Sequence, residues 1–78
     1  MNTNQLEWQQ LSEEIDSLIT QVDPLYVHPV ESIIIRDNFA AIEAAETIEQ
    51  IRVASVMIKK ALTSALIRQG GNTATIQN

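Results

Sequence analysis

Glu43, Glu46 and Glu49 follow one another in steps of three. On a continuous helix, carboxylates at that spacing climb one side and can share a metal ion. Helical sites of that kind add a Glu-x-x-His pair, and this chain has none. The expected reading is a solvated acidic face, with Glu49 supporting Arg52 three residues on. His28 is the one side chain that titrates near neutrality when unperturbed. A general base needs a nucleophile or an orienting carboxylate, and no neighbour in sequence suggests either, so a structural or surface role is expected. Lys60, Ser64 and Arg68 form a stripe at fourfold spacing, with Lys59 beside it. That stripe could meet phosphate or an acidic partner, but complementing a helix C-terminus is the simpler account. The chain contains no cysteine, so it has no thiolate nucleophile and no disulfide. No catalytic, cofactor-binding or metal-ligating residue is predicted, and the chain is not expected to be an enzyme.

The elements that must position these residues are helices. Trp8, Leu11, Ile15, Leu18 and Val22 are spaced 3, 4, 3, 4, which places all five on one helical stripe. Asn4 followed by Glu7 reads as a capping box. Asp23-Pro24 ends the helix, because a residue before proline avoids the α region. Pro29 suits the first turn of a second helix, where its missing N–H costs nothing. From Val30 to Gln69 there is neither Pro nor Gly. One long helix is predicted there, either continuous or kinked near Asp37 where Arg36-Asp37-Asn38 interrupts the isoleucine run, and stopped by Gly70-Gly71. The fold class is therefore all-α: a helical hairpin or a three-helix arrangement within one domain, 1–78, whose tail, 72–78, is expected to fray.

Along the long helix Ile34, Ala41, Ile48, Ser55 and Leu62 recur every seven residues, with Ala44, Ile51, Ile58 and Ala65 between them. That is a heptad seam whose small residues allow close helix approach. Val53, Val56, Met57 and Ile67 lie off the seam, so the last part of the helix is apolar nearly all round. A helix apolar on most sides is normally buried on most sides, and a short first helix cannot cover it.

All ten acids lie in the first 49 residues, with Arg36 as the only base there, while the last 29 residues carry four bases and no acid. Antiparallel packing of the acidic first helix on the basic Arg52–Arg68 segment, within one chain or between two, would set opposite charges side by side. On a straight long helix the first helix would instead face Glu43, Glu46 and Glu49. A kink, or pairing with another copy, would relieve this, and both favour self-association into a helical bundle. A formal net charge of −5 argues against nucleic-acid binding. No uncharged apolar run reaches the roughly 18 residues a membrane span needs, and a cytoplasmic setting is expected.

The segment Leu11-Ser12-Glu13-Glu14-Ile15-Asp16-Ser17-Leu18-Ile19 resembles the first helix of the all-helical chorismate mutases. The resemblance implies a helical hairpin. Those enzymes hold a dicarboxylate with arginines in and just after that helix, and no basic residue precedes Arg36 here, which argues against that activity. The outline of short helix, proline-bounded turn and long heptad helix also looks like type III secretion needle subunits and their small co-chaperones, in architecture alone.

These features lead to an expected small helical protein–protein interaction module, an adaptor, co-chaperone-like or assembly subunit. Its partner would be a second copy, another helical protein, or both. The expected interface comprises Trp8, Leu11, Ile15, Leu18, Ile48, Ile51, Val53, Val56, Met57, Ile58 and Leu62. Two alternatives stand beside it: an acidic inhibitor or mimic filling a basic groove on a nucleic-acid-handling protein, and a self-polymerising structural subunit.

Overall fold

The computed structural model describes the backbone of residues 3–77 and the side chains of residues 5–70. The described chain forms three α-helices and no strand: α1 (Thr3–Gln21), α2 (Pro29–Glu43) and α3 (Ile48–Gln77), with a 3₁₀ turn, Pro24–Tyr26, joining α1 to α2. The chain is thus a three-helix arrangement rather than a two-helix hairpin.

Each boundary has a local cause. Helix α1 begins at Thr3, one residue ahead of the expected cap at Asn4. The Asp23 carboxylate accepts the Leu25 N–H at 3.0 Å and so caps the 3₁₀ turn. Pro29 opens α2 as its sequence position predicts, and Glu31 accepts the His28 backbone N–H at 2.9 Å.

The break in the long helical stretch is not at Asp37. Helix α2 runs through Arg36-Asp37-Asn38, and Asn38 Nδ2 donates to the Ile34 carbonyl of its own helix at 2.7 Å. The chain turns at residues 44–47 instead. There Gln50 Oε1 accepts the Glu46 and Thr47 N–H groups at 2.6 and 3.2 Å, while the Gln50 N–H donates to Thr47 Oγ1 at 3.3 Å. Thr47-Ile48-Glu49-Gln50 is therefore a capping box, which satisfies backbone donors that a helix start leaves orphaned. Nor does α3 stop at Gly70-Gly71. Its helical backbone continues to Gln77, and no described glycine takes the left-handed conformation that a glycine stop uses. The tail expected to fray, 72–78, shares that helical backbone up to Gln77, and its side chains lie outside the described residues.

The turn folds α2 back antiparallel onto α3, and α1 then lies parallel to α3. Both α1 and α2 pack on α3, while their backbones do not approach each other among the described residues. The result is a flattened body of 49 × 25 × 14 Å. Ile15, Ile58 and Leu62 form its core, with Leu18, Val22, Ile35, Phe39 and Ile42 packed around them. Ala54, Ala61 and Ala65 are buried on α3, where their small side chains permit close approach. Ser55 is fully buried without a side-chain hydrogen bond among the described residues.

Candidate interaction surface

Helix α3 has two arcs of opposite character. Ala54, Ser55, Ile58, Ala61, Leu62 and Ala65 are buried beneath α1 and α2. The α3 part of the heptad seam thus lines the inside of a single chain. On the opposite arc Val53 is 63 % exposed, Val56 43 %, Met57 39 % and Ile67 70 %, interspersed with exposed Lys60, Thr63 and Ser64. The covered arc explains the fold. The bare arc is a row of large apolar side chains that the chain does not cover.

Two ion pairs fix α1 on one flank of α3. The Glu7 carboxylate takes both the Nε and Nη2 donors of Arg52, the latter at 2.8 Å. Seven residues further along each helix, Lys59 Nζ donates to Glu14 Oε2 at 2.8 Å. Equal steps in the same direction on both helices show that α1 and α3 are parallel, which corrects the antiparallel packing expected from charge. The opposite charges do meet, but within one chain. The chain turn at 44–47 carries the basic segment back to α1, so relief of like charge does not require a second copy. Arg52 also pairs with Glu49, as expected. The Arg52 guanidinium, bonded to Glu7, holds that carboxyl below its ordinary value. Glu7 in turn raises Arg52 further.

The other flank and the connecting segment are held by Arg68 and Gln69. Arg68 Nη1 and Nη2 reach the two oxygens of Glu31 at 3.1 and 3.0 Å, and Nη1 also donates to the Tyr26 carbonyl. Gln69 Oε1 accepts the Asp23 N–H at 2.8 Å, and its Nε2 donates to the Gln21 carbonyl at 3.2 Å. Two adjacent side chains in the last third of α3 thus tie down the end of α1 and the start of α2. The Arg68 bond, followed by the His28 N–H, keeps the Glu31 carboxyl below its usual value, and Glu31 raises Arg68. Sequence position alone predicts Arg68 as a complement to the helix dipole. Its clamp on Glu31 spans 37 residues and has no local signature, beyond a lone acid in the first turn after Pro29.

The expected interface residues fall into two groups. Ile15, Ile58 and Leu62 are 1 %, 0 % and 4 % exposed, so they are core of one chain and cannot face a partner in this arrangement. Leu11 and Leu18 are half-buried on α1. Trp8, Ile48 and Ile51 are also half-buried and line one recess beside the 44–47 turn. Trp8 also lines, with Ile15 of its own helix, the cleft toward Phe39 and Ile42 of α2, so it is a packing anchor. Only Val53, Val56 and Met57 of the expected set lie on the bare arc. Sequence reasoning left Ile67 out of that set although it had noted its place off the seam. It missed the trough beside Val53, which is lined by Ala41, Ala44, Ala45 and Ala54 and has a volume of about 510 Å³.

The acidic stripe does not survive folding. Glu43 ends α2, Glu46 lies in the turn and Glu49 opens α3. No three acidic or histidine side chains converge on a metal-sized site among the described residues. No described helix is long and apolar enough to cross a membrane.

The chain matches no family model, no curated protein and no solved structure.

Proposed function

We propose that this protein is a small helical protein–protein interaction module that works through the bare arc of α3. The observation behind this reading is the contrast between the two arcs of that helix. One is covered completely, and the other presents Val53, Val56, Met57 and Ile67 to solvent. Clustered exposed apolar side chains such as Val53, Val56 and Met57 mark contact surfaces. Met57 adds a soft, adaptable side chain.

The acidic-mimic alternative draws less support. Glu7, Glu14, Glu31 and Glu49 are each engaged by a base of the same chain, which reduces the field a basic groove would meet. Salt separates the two readings, since charge-driven binding is screened and apolar contact is not.

The test compares Val53→Asp and Val56→Asp with the native chain. Both variants should keep the native helix content by circular dichroism and lose association, whether with a second copy or with a purified partner. Native association that persists in high salt supports the apolar reading. Association that survives both substitutions would remove it.

A further inference from the structure

Resting on the reading of the bare arc as an interaction face, we infer that its occupant is a second copy of this chain, packed antiparallel about a two-fold axis between Val53 and Val56. Glu49, Val53, Val56 and Lys60 follow at steps of 4, 3 and 4, which sets them on one stripe of α3. Under that two-fold axis Val53 faces Val56 of the second copy. The same operation brings Glu49 opposite Lys60 of the second copy, and Lys60 opposite its Glu49. A two-fold interface must be complementary to itself, and this stripe is: apolar at the centre, with one acid and one base equidistant from it. The Glu49 side chain is 72 % exposed, and its bond to Arg52 uses Oε1, which leaves Oε2 to meet a second base. Lys60 is exposed and forms no ion pair among the described residues.

Shape agrees with charge. The alanine-lined trough lies beside Val53, with Glu49 and Gln50 also on its wall. The ridge of one helix packs into the groove of another. The two-fold axis brings Lys60 of one copy to the Glu49 on the wall of the other copy's trough. An antiparallel pair also sets the two helix dipoles in opposition, which is favourable.

The experiment is a charge swap on the full chain, read by sedimentation and light scattering, with circular dichroism as the folding control. Lys60→Glu alone and Glu49→Lys alone each place like charges opposite twice per dimer and should weaken dimerisation at least about tenfold. The double variant Glu49→Lys/Lys60→Glu restores both pairs and should return to within about threefold of the native chain, on the logic of a coupled pair. The chain has no cysteine, so single introduced thiols provide a second readout independent of the swap. A short bismaleimide should link Val53→Cys chains. It should not link Ile67→Cys chains, which this arrangement separates by roughly 37 Å along the axis. Failure of the double variant to recover, or linkage at residue 67, overturns the two-fold arrangement. If Val53→Asp still abolishes association in that event, the interaction face stands and only its arrangement falls. A native chain that stays monomeric overturns the second copy as occupant, and Val53→Asp tested on a purified partner then decides the broader reading.

Discussion

Arg68 and Glu31 form a two-pronged pair, Nη1 to Oε1 at 3.1 Å and Nη2 to Oε2 at 3.0 Å, joining the last third of α3 to the first turn of α2. Parallel donors on a planar guanidinium match a carboxylate in a way an ammonium cannot. Glu31 is buried by residue, so loss of either partner strands a charge or a donor. Glu31→Ala should lower the thermal midpoint by roughly 5 °C, the scale of a charge-assisted bond discounted for solvent screening. Arg68→Lys should recover only part of the loss seen in Arg68→Ala. Equal midpoints for all three variants and the native chain would show that the pair contributes nothing to folding.

Acid should weaken the fold through the same carboxylates. Glu7 and Glu31 both have folded values held below the ordinary one by their arginine partners. A depressed folded value contributes stability that is complete above the unfolded carboxyl value, about 4.3. That stability is lost as pH falls from there through the folded values. Denaturant titrations at stepped pH should show stability flat near neutrality and falling below about pH 4.5. The fall should be shallower in the double variant Glu7→Gln/Glu31→Gln. A fall of native steepness in that variant would assign acid sensitivity to other groups.

Ile58 belongs to the interior, not to a contact surface. Ile58→Ala should destabilise the chain by about 2–5 kcal/mol, the usual cost of emptying a packed aliphatic site. Ile58→Asp should fail to fold rather than give a folded monomer. Val53→Ala, on the bare arc, should change monomer stability by less than about 0.5 kcal/mol. Urea unfolding of the variants at low protein concentration measures all three. Similar losses at residues 53 and 58 would contradict the two-arc description of α3.

The turn at 44–47 depends on Thr47 and Gln50. Thr47→Ala removes a cap and should cost about 1 kcal/mol, as N-cap substitutions do. Thr47→Ser should be close to neutral. If denaturant midpoints place Thr47→Ala beside the native chain, the box does not define the turn.

The position of that turn also shows where sequence reading reached its limit. The α1 stripe, the stop at Asp23-Pro24 and the start at Pro29 were legible because proline and period-3.6 spacing act locally. The Arg36-Asp37-Asn38 interruption drew attention because it broke an apolar run, yet Asn38 satisfies itself on its own helix. The true break contains neither Gly nor Pro. Its only signal is Thr47-x-x-Gln50, which resembles ordinary helix interior until the capping bonds form. Gly70-Gly71 misled in the opposite direction, since glycine permits a stop without imposing one. Among the interface residues, periodicity placed Ile15, Ile58 and Leu62 on apolar stripes correctly. It could not say whether their cover would come from the same chain, because that depends on the fold-back at residues 44–47. Val53, Val56 and Met57 were separable in sequence because they sit off the seam.

Sedimentation equilibrium of the native chain and Val53→Asp, run side by side up to about 1 mM, where even an association of about −4 kcal/mol is populated, tests the bare arc most directly. The native chain should shift toward twice its monomer mass as concentration rises, while Val53→Asp, equally helical, remains at monomer mass throughout. Two superimposable curves, both monomeric or both dimeric, would contradict the assignment of that arc as the place where this chain meets a second copy.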